Sequence, residues 1–357
     1  MDKVLVYTLS DSVGGIEEYV LNLSRYNTEK KCVYEYIILG NYTPYQEEMD
    51  YLGVKYYFIP KKKSLILNIK EMSIIFRECR KECNTIYFNT STLCYPIPYL
   101  LAKKYNYRIV IHSHSTNTTK IRKCVHIFNR IWIRRICSYK LACSMLAATW
   151  MFGKKYAKEV FIIPNAIKIE RFKHNSMLRD KLRVELNIKN DFVIGHVGRL
   201  VKEKNQLFLL EIIAEAKHQG LNFKLLLVGN GEDDCKLKRK AQKLGIADKV
   251  IFYGGSNSPE KLMNCMDCFV MPSIFEGFPV TLVEAQAAGL PCLVSDIVSK
   301  EVNVTGYVEF ASLKESPCEW VKKISKLKGR YNGTVILREK GYAVDELEQK
   351  IRRFFLL

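Results

Sequence analysis

SIFEGFPVTLVEAQAAGLP, residues 273–291, places two carboxylates, Glu276 and Glu284, eight positions apart in a largely apolar segment. It follows CFVMPS, a short apolar run with the length and composition of a buried strand. Pro279 suits the first turn of a helix, and Gly289 before Pro291 suits its end, so the stretch spells strand, loop, helix. Glu276 then falls in the loop and Glu284 in the second helical turn, with the amides of Val280 and Thr281 free between them. From spacing alone two readings of Glu284 stay open. It holds a vicinal diol such as ribose O2 and O3 while a phosphate takes the helix end, or it is an exposed acid that balances the helix dipole.

The same unit recurs along the chain. KVLVYTLS, VYEYIIL, VKYYFI, TIYFN, RIVIHS, YKLACS and VFIIPNA are apolar runs separated by helical patterns, and FVIGHVG, FKLLLVG, KVIFYG, CFVMPS and PCLVSD continue the series. Continuous apolar strands alternating with helices imply parallel sheets covered on both faces. A charged segment after IIPNAIKIERF marks a seam, giving two doubly wound Rossmann-like domains over residues 1–165 and 170–335. Residues 341–357 form a helix with Val344, Leu347, Ile351 and Phe354 on one side, in need of a surface such as the first domain. Two such domains facing a central cleft bind ligands outside the carboxyl ends of their strands.

A chain of 357 residues with 48% hydrophobic and 26% charged residues is globular rather than disordered. The start, MDKVLVYTLSDSVGG, lacks the form of a secretory signal, and no run reaches the roughly 18 to 20 apolar residues of a membrane span. A cytoplasmic protein is expected. Twelve cysteines then read as reduced thiols, and Cys265 with Cys268 as a buried pair without the further ligands a zinc site needs.

The net charge of +19 calls for an anionic partner. Much of it is concentrated: from Cys83 to Lys158 there are thirteen Lys and Arg residues and no Asp or Glu. Within that stretch KIRKCVHIFNRIWIRRICSYK sets Ile121, Val125, Phe128, Trp132 and Ile136 at helical spacing among basic residues. This is the pattern of an interfacial helix, or of a helix that packs its Ile and Trp on its own sheet and solvates its arginines.

Two further strand ends carry candidate ligand contacts. Gly14 and Gly15 open a helix after the first strand, where backbone amides can meet a phosphate or sugar oxygen, although the spacing is not that of a nicotinamide site. Arg199 and Lys204 follow FVIGHVG and flank the next helix, two cations suited to clamp a diphosphate.

In this order, the early Gly-Gly, HVGRLVKEKN, IFYGG and MPSIFEGFPVTLVEAQAAGLP resemble the retaining glycosyltransferases of family 4, the group 1 glycosyltransferases of GT-B fold, and HSHST and IPNAI resemble their capsule and exopolysaccharide members. The resemblance spans nearly the whole chain and is closest over residues 194–296. It implies that Glu284 binds the donor ribose, that Arg199 and Lys204 hold the diphosphate, and that Glu276 lies beside the donor sugar. It also implies that Gly277, Phe278 and the amides of Val280 and Thr281 complete the pocket, and that Gly254 and Gly255 face the base. The family's histidine near the sugar C6 hydroxyl corresponds to His114 or His112, with the count from the strand start favouring His114. Pro279 departs from a position that is often glycine and withdraws one amide from the donor.

The implied reaction is hexose transfer from a nucleotide-sugar, expected to be a UDP-sugar, to a glycan acceptor on a polyprenyl diphosphate, in capsule, exopolysaccharide or O-antigen synthesis. Retention follows by front-face attack, with a donor phosphate oxygen taking the acceptor proton. No Asp-x-Asp occurs in the chain, in accord with a metal-independent reaction that needs no cofactor. The basic first domain would hold the enzyme at the anionic inner face of the cell membrane as a peripheral protein. The competing readings are a double displacement through Glu276, a GT-B epimerase or phosphorylase, and a nucleic-acid-binding protein, which would leave the ordered strand-end residues without a purpose.

Overall fold

The computed structural model describes residues 2–11, 15–60, 65–116, 119–276, 278–327 and 329–356. The chain divides into two compact units, Met1–Ala166 with Gly341–Leu357, and Ile167–Lys340.

The first unit is a parallel sheet of β1 (Asp2–Ser10), β2 (Cys32–Leu39), β3 (Tyr56–Ile59), β4 (Cys83–Thr90), β5 (Arg108–Ser113), β6 (Tyr139–Ala142) and β7 (Phe161–Ile162), in the order β3-β2-β1-β4-β5-β6-β7. Helices α1 (Gly15–Arg25), α2 (Gln46–Tyr51), α3 (Leu65–Cys79), α4 (Ile97–Lys104), α5 (Lys120–Ile136) and α6 (Met145–Phe152) connect the strands. Because the central strands are buried on both sides, the sheet carries two cores: Met72, Phe76, Tyr99, Ile133 and Met151 fill one, and Tyr19, Leu23 and Met49 the other.

The second unit is a six-stranded parallel sheet in the order β10-β9-β8-β11-β12-β13. Its elements are α7 (Ser176–Glu185), β8 (Phe192–Val197), α8 (Gln206–His218), β9 (Phe223–Val228), α9 (Asp234–Lys243), β10 (Val250–Gly254), α10 (Pro259–Cys265), β11 (Cys268–Met271), α11 (Val280–Ala287), β12 (Cys292–Ser295), β13 (Val308–Ala311), α12 (Pro317–Ile324) and α13 (Gly333–Glu339). β13 is an edge strand absent from the sequence reading; it is only four residues long and carries an exposed Glu309, so it lacks the continuous apolar run of its neighbours. Both units are doubly wound, Rossmann-like α/β sheets.

Residues 341–357 pack on the first unit, where a 3-10 turn, Val344–Glu346, leads into α14 (Leu347–Arg352). Val344, Leu347, Ile351 and Phe354 join the core that holds Tyr19 and Tyr34. Polar ties fix the register: Tyr34 donates to Glu348 at 2.9 Å and Arg352 to Glu29 at 3.0 Å. Among the described residues no helix is long and apolar enough to cross a membrane.

Candidate active site

In the second unit β8 and β11 are neighbours, so the loops that follow them meet. The 3-10 turn Lys202–Lys204 follows β8, and its Glu203 carbonyl accepts from the amide of Ile274, while the Asn205 side chain donates to the Pro272 carbonyl. Docked in this way, Lys204 Nζ reaches Glu276 Oε1 at 2.5 Å. Ser273 Oγ donates to the same oxygen at 2.9 Å, and the Ser273 carbonyl accepts from Ser295 Oγ at 2.6 Å. One chain of contacts thus ties the ends of β8, β11 and β12. Lys204 keeps 20% and Glu276 10% of its side-chain surface, so the pair is shielded yet reachable.

The loop bearing Arg199 is held through its backbone. Gln206 Nε2 donates to the Arg199 carbonyl at 2.8 Å and lies 3.3 Å from His196 Nε2, while His196 Nδ1 donates to the Val270 carbonyl at 2.9 Å. Burial pushes the His196 imidazole down to about 4, so it stays neutral and each ring nitrogen keeps a fixed role. Gly229 closes over this loop at φ +142°, where a Cβ would stand 2.0 Å from the Gly198 carbonyl oxygen. The next loop continues the latch: the Gly255 amide donates to Asn230 Oδ1 at 2.9 Å and the Gly229 amide to the Gly254 carbonyl at 2.7 Å. The Arg199 side chain itself is exposed.

After β11, Gly277 lies outside the described residues and Phe278 is partly buried. Pro279 is the N-cap of α11 rather than part of its first turn, because its ψ of 109° is extended. The amides of Val280 and Thr281 open the helix and have no intrahelical acceptor by position. Gly289, at φ +69°, ends the helix, and Arg330 ties down its close by donating to the Ala288 carbonyl at 2.7 Å.

Glu284 stands in the second turn of α11 and keeps part of its surface. Burial, aided by the nearby Glu260 and opposed by Arg171, pushes its carboxyl up to about 7. Glu260 is itself buried and bonded to Arg171 at 2.8 Å. The two acids that open the sequence reading are therefore electrostatically unlike: Glu276 has a lysine and Glu284 has a buried acid beside it.

In the first unit, Gly14 lies outside the described residues. Gly15 starts α1, and a side chain there would meet no protein atom within 4 Å, so packing does not demand its glycine. His112 lies at the end of β5 and His114 just beyond it, their tilted rings having centroids 4.2 Å apart. His112 is wholly buried, with Nδ1 2.6 Å from the Tyr87 hydroxyl and 3.2 Å from that of Tyr19. His114 keeps some surface and sits between Asn89 and Asn165, each 2.9 Å from one of its ring nitrogens. Burial pushes its imidazole down to about 4, with the Asn165 bond opposing. A neutral imidazole donates once and accepts once, so one of the two asparagines turns its NH2 toward the ring.

Asn89, Asn165, His196, Gln206, Ser273, Asn230 and Glu260 were not picked out from sequence. Each is a polar residue within or just beside an apolar run, and that is the one local signal they offer. Among the described residues no group of three or more His, Cys, Asp and Glu could hold a metal ion. Cys265 and Cys268 are buried, and burial raises both thiols.

The family model for glycosyl transferases group 1 matches residues 179–342. The chain is 30% identical over 326 residues to the putative glycosyltransferase EpsF of Bacillus subtilis, covering 88% of this chain and 84% of that protein. It is 27% identical over 268 residues to an Escherichia coli protein named UDP-Gal:alpha-D-GlcNAc-diphosphoundecaprenol alpha-1,3-galactosyltransferase, covering 70% and 68% of the two chains. Anabaena Alr3699/HepE, solved in complex with UDP, shares the fold at a TM-score of 0.81 and 19% identity over 99% of both chains. With a relative matched at this identity over most of its length, the chain belongs to the group 1 glycosyltransferases, and it is a glycosyltransferase of GT-B fold.

Proposed function

We propose that the chain moves a hexose from a UDP-sugar to a glycan acceptor carried on a polyprenyl diphosphate, with retention and without a metal, in capsular, exopolysaccharide or O-antigen synthesis. The observation that carries the reading is the Lys204–Glu276 pair, set after neighbouring strands with the start of α11 and Glu284 following in the chain. In this reading the second unit takes the donor and the first the acceptor. Arg199, Lys204 and the amides of Val280 and Thr281 take the charge that develops on the leaving diphosphate. Glu284 holds the ribose, Gly254 and Gly255 line the base, and Glu276, Gly277 and Phe278 meet the sugar. Gly14 and Gly15 of the first unit offer backbone contacts. His114, held neutral, is a sugar contact rather than a base, so the acceptor proton goes to a donor phosphate oxygen. Complexes of HepE with UDP and with UDP-glucose, and the activity for which the E. coli relative is named, support the donor and acceptor classes.

The test is a thermal-shift panel of UDP-, GDP- and ADP-sugars, followed by UDP release and the anomeric configuration of the product. UDP-sugars are expected to stabilise the protein, and Arg199→Ala to abolish UDP release. A panel in which no nucleotide-sugar stabilises the protein overturns the donor site, and an inverted product overturns retention.

The two histidines separate by experiment. His114→Ala is expected to lower kcat/KM about 100-fold in a protein that still folds, with a lowered melting temperature because Asn89 and Asn165 lose their ring partner. His112→Phe removes the buried ring nitrogen that the Tyr87 and Tyr19 hydroxyls share and is expected to cost about 1 to 3 kcal/mol of stability, read by denaturant titration.

A further inference from the structure

Helix α5 is inside out for a helix on a soluble domain. The side chains it turns to the body of the first unit include two polar ones: His126 accepts from the Leu93 amide at 3.0 Å, and Asn129 donates to the Leu93 carbonyl at 2.8 Å. Ile133 is its one fully buried apolar residue, with Trp132 and Ile136 leaning on the same core. Ile121, Val125, Phe128 and Ile131 share another side and face solvent, with Ile121 84% and Phe128 70% exposed. Every residue from Ile121 to Val125 is exposed, so the first turns stand clear of the sheet. The stripe seen in sequence therefore splits: its carboxyl half packs and its amino half does not.

Charge selects what covers the outer half. Arg122, Lys123 and Arg135 on the same helix are exposed and have no carboxylate partner among the described residues. No Asp or Glu occurs between Glu82 and Glu159. An apolar ridge set among unpaired cations matches the boundary between acyl chains and anionic headgroups, where the side chains enter hydrocarbon and the cations stay among phosphates.

We propose that the amino-terminal half of α5 docks on an anionic phospholipid bilayer by inserting Ile121, Val125 and Phe128. This deepens the lipid-linked acceptor reading and rests on it for its purpose, although the geometry stands by itself.

The test is co-sedimentation of the full chain with phosphatidylglycerol-rich vesicles and with phosphatidylcholine vesicles, for wild type and for the variant Ile121→Ser/Val125→Ser/Phe128→Ser. All three sites are exposed, so an unchanged melting temperature is expected. Wild type should bind the anionic vesicles, more weakly but measurably as salt rises from about 0.1 to about 0.5 M, and the variant should bind at least about tenfold more weakly. Equal binding by the variant overturns insertion. Failure of wild type to bind vesicles, with a salt-resistant dimer in sedimentation that the variant loses, overturns the bilayer in favour of a second copy of the chain. UDP-induced stabilisation is read on the same samples: if it is absent while vesicle binding follows the expected pattern, the donor reading fails and the docking surface stands.

Discussion

Replacing Glu284 by Gln is expected to make the protein more stable at pH 8 while cutting its use of the donor about 100-fold. The carboxyl is raised to about 7 by burial and by Glu260, so above that pH the folded protein carries an ionised group in a place that resists charge. An acid whose folded value lies above its unfolded one is penalised most above the folded value, and the penalty fades as pH falls toward the ordinary carboxylate range. Glutamine removes the charge and keeps the shape. The gain should approach ~2 kcal/mol at pH 8 and vanish near pH 4, read by denaturant titration across pH. The same charge is what a diol would bind. If nucleotide binding requires the carboxylate, wild-type affinity for UDP should rise about tenfold from pH 6 to pH 8, with proton release seen by calorimetry in buffers of different ionisation enthalpy. Glu284→Gln should show no such rise and should lose about 100-fold in kcat/KM. A variant that is destabilised at pH 8, or that keeps the pH-dependent affinity, would contradict this assignment.

The second large effect concerns Lys204 and Glu276. Lys204→Ala is expected to lower kcat about 100- to 1,000-fold, because it frees Glu276 and, in the proposed function, removes a cation from the leaving diphosphate. Glu276→Gln should cost a comparable amount, since Lys204 and Ser273 Oγ converge on the one oxygen Oε1. The double variant should be little worse than either single one, as two residues joined by a direct contact act as a unit. Fully additive losses would show that the two side chains serve separate tasks and that their bond is incidental.

How much of this was legible beforehand differs by residue. The placement of Glu276 in a loop and Glu284 in the second turn of a helix came from Pro279, Gly289 and Pro291, which act within a few residues of themselves. Strand positions in both sheets were readable for the same reason, since a run of apolar β-formers needs no distant partner to be recognised. β13 escaped because an edge strand is half exposed and its alternation with Glu309 hides it.

The sequence by itself determined the alternation of strands and helices, and with it which residues stand at strand ends. Tertiary structure decided what those residues meet: Lys204 and Glu276 are 72 positions apart, and Glu284 owes its raised carboxyl to burial and to Glu260 on another helix, against the opposing charge of Arg171 far back in the chain. It also decided that His112 is buried while His114, two residues on, keeps a surface, and that α5 turns Phe128 outward and Asn129 inward. Periodicity can show that a helix has an apolar side. Only packing shows whether that side faces the core, because both orientations leave the same pattern in the sequence.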